Sequence, residues 1–281
     1  MTSTRRQRFS ARLGLANDVD EVPYTDVPPH LLRPLQRWAF SMANRADGYI
    51  GHTVCLRLRI AVPEDANASW CLSQLQGIDL LDGVDDILDL LAENDVRGLP
   101  EVRQLGVLLD DAGSAYRVSD DEGGLETRVS AEVRDAVLQT VSDAAAVPSA
   151  GSAADHLATS WKAAYGLHPD PVRAYSEVIK AVESASHAVI QPSHARATLG
   201  TMLGEIGNAR VKFTTAISTP AGKDPIAPVE AMMRALWDGQ TSRHGKQTGT
   251  VPETLEAARA GVHLAATLVQ WFGSGAVART P

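Results

Sequence analysis

Cysteine is scarce in this chain: Cys55 and Cys71 are the only two among 281 residues. Two thiols cannot build a disulfide scaffold or a cysteine-based zinc site. No apolar run approaches the roughly eighteen residues that a membrane span needs. The basic start Met1-Thr2-Ser3-Thr4-Arg5-Arg6-Gln7-Arg8 is followed by no apolar h-region, so no secretory signal is expected and the cytoplasm is the expected compartment. There is no Gly-rich phosphate loop of the P-loop or dinucleotide type and no G-x-S-x-G elbow, which leaves nucleotide hydrolysis, redox cofactor use and serine hydrolysis without support. His156, His168, His187, His194 and His263 are scattered, with no i,i+4 metal pair among them. His187 and His194 are separated by Pro192, which interrupts a helix. Neither a metal nor a cofactor is expected.

What is present is an ordinary folded chain. An apolar fraction of 44% in this length gives room for two modest domains with buried cores. Charge is uneven along it. Residues 1–150 carry 14 Lys/Arg against 24 Asp/Glu, a net −10, whereas residues 151–281 carry 12 against 10, a net +2. An anionic ligand such as RNA is therefore better accommodated by the second half, although solubility alone also explains such a drift.

The small-residue run Ala144-Ala145-Ala146-Val147-Pro148-Ser149-Ala150-Gly151-Ser152-Ala153 coincides with this shift and reads as a linker. It divides an acidic domain, 1–143, from a second, 154–281. The first reads as mainly helical. Leu31, Leu32, Leu35, Trp38, Ala39 and Met42 keep helical spacing after Pro28-Pro29. Residues 54–62 fit a strand or a helix equally well. Residues 101–113 predict a helix ending near Gly113, Tyr116–Val118 and Leu125–Val129 a β-hairpin, and 131–144 a closing helix. The second half predicts five helices, through 155–164, 171–190, 199–206, 229–237 and 255–272. The last of these has Pro252 and Glu253 at its start. The fold class is thus mostly α: a helical domain with a small hairpin, then an antiparallel helical bundle.

Polar groups concentrate at Trp237-Asp238-Gly239-Gln240-Thr241-Ser242-Arg243-His244-Gly245, between the last two helices. His244 can give and take protons near neutrality. Arg243 offers a permanent planar charge suited to a phosphate. A base for the 2′-OH, a cation for the phosphorane and an acid for the departing 5′-oxygen are the minimum for metal-free RNA cleavage. The alternative is a solvated loop in which His244 caps the preceding helix and Arg243 pairs with Asp238. Glu177, Lys180 and Glu183 share one helix face, where they would orient Arg243 or His244 or form a surface salt-bridge ladder.

Several stretches together resemble AbiJ-type abortive-infection proteins of bacteria. In the first half these are Arg8-Phe9-Ser10-Ala11-Arg12-Leu13-Gly14, Leu32-Arg33-Pro34-Leu35-Gln36-Arg37-Trp38 and Ala112-Gly113-Ser114-Ala115-Tyr116-Arg117-Val118. In the second half, Glu177–Ser184, Ala197-Thr198-Leu199-Gly200 and Arg243-His244-Gly245 resemble their helical HEPN-class domain. The resemblance implies a phage-defence protein that arrests the infected cell by RNA cleavage, usually as a homodimer, with an N-terminal sensing or regulatory domain. That class usually carries an Arg, a polar residue next to it, and a His after four to six intervening positions. Here the expected arginine falls near Trp237 to Gly239, where there is none. Asp238 fills the polar position, and Arg243 or Arg234 supplies the cation.

The resulting expectation is a metal-independent endoribonuclease. His244 is the general acid/base, Arg243 the phosphate cation and Asp238 the third catalytic group. Gln240, Arg234, Glu183, Lys180 and Glu177 bind RNA or orient these groups. Expected partners are RNA, a second copy of the chain and a phage-derived trigger or protein, with no membrane. The rival reading is a catalytically degenerate bundle that binds RNA or protein in a defence or toxin–antitoxin complex. A nucleotide-modifying enzyme on the same scaffold is a third reading.

Overall fold

The computed structural model describes residues 22–242 and 249–280. Arg243, His244 and Gly245 lie outside these residues, as does the Arg8–Gly14 stretch. The chain divides into two compact units, Met1–Arg128 and Val129–Pro281. It is mostly helical, with two small antiparallel two-stranded sheets among the described residues. No helix of the described residues is long and apolar enough to cross a membrane.

The first unit contains α1 (Pro29–Ala43), α2 (Tyr49–Arg57), α3 (Ala68–Ser73), α4 (Gly77–Glu93), α5 (Pro100–Ala112) and the strands β1 (Tyr116–Val118) and β2 (Leu125–Thr127). Pro29 opens α1 at a position whose N–H would be unpaired in any case. The helix then buries Leu31, Leu35, Trp38, Ala39 and Met42 against α3, α5 and α4. The Trp38 indole donates to the Glu101 carbonyl at 2.8 Å. The ambiguous stretch 54–62 resolves as helix up to Arg57 and as turn and irregular chain after it: Ile50, Val54 and Cys55 of α2 are buried while Leu56 is exposed, a 3.6-residue period. Cys55 and Cys71 are both buried thiols, and burial pushes the Cys55 thiol up, away from reactivity. Gly113 ends α5 at φ 70°, the left-handed position that only glycine adopts freely. The predicted hairpin is present, pairing Tyr116 with Thr127 and Val118 with Leu125.

The second unit contains α6 (Ala131–Ala146), α7 (Ala153–Tyr165), α8 (Pro171–Ile190), α9 (Leu199–Asn208), β3 (Phe213–Thr215), α10 (Ala227–Gly239), α11 (Leu255–Gly273) and β4 (Val277–Arg279). The division at Arg128 and Val129 corrects the expected boundary. Helix α6, expected to close the first domain, packs against α7 and α11. The run 144–153 is no free linker, because Ala144, Ala150 and Ala153 are buried in this unit's core. Small apolar side chains suit a spacer and a close backbone approach alike, and here the approach prevails.

Helix α8 is central, packed by α7, α11, α9 and α10. It starts at Pro171 with Asp170 accepting from the Arg173 N–H at 2.9 Å. The stripe Tyr175, Val178, Ile179, Val182 and Ile190 is buried. Helix α9 opens with a reciprocal capping box between Thr198 and Thr201. Helix α11 begins at Leu255, so Pro252 and Glu253 precede it rather than form its first turn, because Thr254 is its cap and accepts from the Ala257 N–H. Sequence reading missed the β3–β4 ladder, which pairs Phe213 with Arg279 and Thr215 with Val277.

Candidate functional site

Helix α10 buries Val229, Met233 and Leu236, and this fixes the rotation of its last turn. Trp237 then lies against α9. A Cβ on Gly200 would stand 2.6 Å from the Trp237 ring, so this indole needs a glycine beneath it. Trp237, one of the three positions where the resemblance expects an arginine, is therefore a packing residue here. Asp238 is exposed. Arg234, one turn earlier on that face, is paired with Glu230 at 3.4 Å. Gln240 caps the helix C-terminally and is half-buried.

The chain ends that flank residues 243–248 are tied together. The Thr241 hydroxyl donates to the Val251 carbonyl at 2.6 Å. The Ser242 N–H and hydroxyl both donate to Oε1 of Glu253, each at 2.9 Å. Glu253 is only 6% exposed, and its Oε2 is buried with no hydrogen-bond partner among the described residues. The buried ring of Tyr175, from α8, completes this corner. Burial, and secondarily the Glu253 charge, push its phenol above the usual range. Sequence reading took Glu253 for an acid complementing a helix N-terminus. Its burial had no local signature.

Glu177, Lys180 and Glu183 gather at a different part of α8. Glu177 binds the His156 Nδ1 at 2.6 Å and the Lys180 Nζ at 2.7 Å. Burial raises the Glu177 carboxyl, but these hydrogen bonds outweigh it and hold the group below its usual range. Glu183 accepts the Leu199 N–H at 2.6 Å, the first amide of α9. Burial keeps its carboxyl above the ordinary range despite that bond. Leu199 precedes Gly200, so Glu183 is connected to Trp237 through α9. His156, which sequence reading left among the scattered histidines, is thus the partner of Glu177.

Two of the other histidines, His187 and His263, are engaged structurally. The His187 Nε2 meets the His194 carbonyl at 3.1 Å. The His263 Nε2 is 2.8 Å from the Tyr165 hydroxyl. Among the described residues no three His, Cys, Asp or Glu side chains are grouped to hold a metal ion. No protein-family model, curated protein or solved structure matches the chain.

Proposed function

We propose that the second unit is a HEPN-class effector that cleaves RNA without a metal at the α10–α11 junction, within an abortive-infection type of antiphage defence. The observation that carries this reading is the clamp of Ser242 by the buried Glu253 carboxylate, one residue before Arg243-His244. The tie fixes the described residues that flank this segment, and a defined geometry is what a catalytic pair requires. In this reading His244 takes the 2′-OH proton and returns one to the 5′-oxygen, and Arg243 stabilises the charged phosphorane. Trp237 is committed to packing and Arg234 to Glu230, which favours Arg243 as the cation. Asp238, exposed at the end of α10, is the third group, and Gln240 positions the strand. A second copy facing the same cleft completes a groove for one RNA strand, and the acidic first unit senses the phage trigger.

The packing of Trp237 at one of the expected arginine positions favours one alternative, a bundle that binds RNA without cutting it. Purified full-length protein incubated with RNA in excess EDTA separates the two. The nuclease reading expects fragments ending in 2′,3′-cyclic phosphate, with His244→Ala slower by about 10²–10⁴-fold at unchanged fold. Intact RNA under all conditions, with salt-sensitive retention of the strand, overturns cleavage in favour of binding.

A further inference from the structure

The first unit carries a cleft to which neither the nuclease reading nor the resemblance gives a role, although Arg33, Gln36 and Arg37 belong to a stretch that carries the resemblance. It lies between α1 and α3, is open to solvent, and encloses about 520 Å³ lined by Arg33, Gln36, Arg37, Phe40, Ser73 and Gln74. That volume falls within the range of small-molecule sites. The α1 members follow a helical stripe, so both guanidiniums and the ring open onto one face. The α3 members sit at the end of that helix, one turn after the half-exposed Trp70.

Two guanidiniums open onto this cleft in an otherwise acidic part of the chain. Residues 1–150 carry a net −10, and Arg45, Arg57, Arg97 and Arg117 are each paired with a carboxylate. Among the described residues Arg33, Arg37, Arg59 and Arg103 are not, and of these four only Arg33 and Arg37 line the cleft. Among the described residues Arg33 donates to the Gln36 amide oxygen at 3.2 Å, Arg37 has no hydrogen bond or ion pair, and no acidic residue lines the cleft. Like charges one turn apart weaken a helix, so two uncompensated guanidiniums carry a structural cost that an anionic ligand would offset.

The surrounding groups specify more than an anion. Phe40 is 39% exposed, a ring left open at the edge of the cleft and available for stacking. The buried Gln36 amide is held by the Leu75 carbonyl at 2.9 Å and by Arg33, so it is pre-oriented. The Ser73 hydroxyl and the Gln74 amide are 3.0 Å apart and add hydrogen-bonding groups at the opposite wall. We infer that this cleft binds a nucleoside 5′-phosphate, with the phosphate on Arg33 and Arg37 and the base on Phe40. Planar guanidiniums grip phosphate through paired N–H groups, and the polar amides and hydroxyl suit a ribose or base edge. The site is independent of RNA cleavage by the second unit.

Isothermal titration of the full-length protein tests this, with each common ribonucleoside 5′-monophosphate, inorganic phosphate, the unphosphorylated nucleosides and a short 5′-phosphorylated oligoribonucleotide as probes. At least one monophosphate is expected to bind, with inorganic phosphate and its nucleoside each weaker by about tenfold or more. Arg37→Gln is expected to lower affinity by about tenfold or more, with Arg37→Lys between it and the parent. Phe40→Ala is expected to remove the preference for nucleotide over phosphate. Both substituted residues are exposed, and circular dichroism of the three variants should match the parent. No binding of any monophosphate, binding unchanged in Arg37→Gln, or phosphate binding as tightly as nucleotide would each overturn the proposal. An oligonucleotide bound about tenfold more tightly than every monophosphate overturns the free nucleotide as occupant and assigns the cleft to an RNA end.

Discussion

The hydroxyl of Tyr175 occupies the place that a Cβ on Gly239 would take. The last residue of α10 must be glycine because the phenol of α8 abuts its Cα. The same ring also approaches Gly261 of α11, where an added Cβ would make an ordinary 3.4 Å contact. Gly239→Ala is therefore expected to destabilise by about 1–3 kcal/mol, the range for overpacking a filled interior. Tyr175→Phe removes the obstructing atom, and the double variant should regain more than half of that loss. Urea unfolding of the four proteins measures the coupling. Strictly additive losses would show that Tyr175 and Gly239 do not constrain each other.

Glu253 makes a second prediction at the same corner. Its Oε1 receives two donors from Ser242 while its Oε2 is buried without a partner. Truncation to alanine removes both bonds to a charged acceptor, and Glu253→Ala should cost about 1–3 kcal/mol. Glu253→Gln keeps a carbonyl oxygen for Ser242 and removes the buried charge, so its loss should stay below about 1 kcal/mol. Amide hydrogen exchange at Ser242 is the direct readout: faster in the alanine variant, close to parent in the glutamine variant. Equal exchange in all three would show that the clamp does not hold the stem.

Stability should also depend on pH through His263. Its Nε2 is bonded to the Tyr165 hydroxyl, Trp161 lies edge-on at 6.1 Å, and Arg259 sits over the Tyr165 ring. Burial holds the imidazole below its ordinary value of 6.5. The unfolded chain therefore takes up this proton before the folded one. The group's contribution is complete above the ordinary value and is lost as pH falls through the depressed one. His263→Gln should flatten that part of the profile between about pH 7 and pH 5. Urea midpoints of parent and variant across this window give the difference. A variant whose midpoint falls more steeply than the parent's reverses the sign and contradicts the assignment.

Helices were legible in the sequence wherever a long stripe recurred, as for Leu31 to Met42 and Tyr175 to Ile190, because burial on one face imposes the 3.6-residue period directly. The 116–127 hairpin was legible because its turn residues lie between its strands. The β3–β4 ladder was not, since each strand has three residues and the partners Phe213 and Arg279 are far apart in sequence. The boundary was misplaced because small residues such as Ala150 and Ala153 carry no sign of whether they space or pack. At the candidate site, Asp238, Gln240 and the tether of Ser242 follow from where α10 stops. The burial of Glu253 and the committed packing of Trp237 depend on helices distant in the chain. Glu183 was read as an orienting group for the loop, whereas its oxygen satisfies an α9 amide, a tertiary contact with no local spacing to announce it.

Arg279 joins the missed ladder to the central helix, and its removal makes a prediction about both. Its Nε donates to the Val189 carbonyl at 2.9 Å and its Nη2 to the Ile190 carbonyl at 3.0 Å. These are two of the last carbonyls of α8, which no intrahelical N–H can satisfy. The guanidinium also lies 5.5 Å from the Phe213 ring centroid, across the β3–β4 pair. One side chain thus caps α8 and covers the ladder. Arg279→Ala should cost about 1–2 kcal/mol, less than the sum of two charged hydrogen bonds because water reaches the freed carbonyls. Arg279→Lys should recover little, since an ammonium cannot span both carbonyls with the same planar geometry. Hydrogen exchange at Ala216, whose N–H donates to the Ala276 carbonyl at 2.8 Å, should accelerate in both variants. If Ala216 exchange stays at the parent rate while stability falls, Arg279 acts on α8 alone and the ladder is held by burial of Phe213 and Val277.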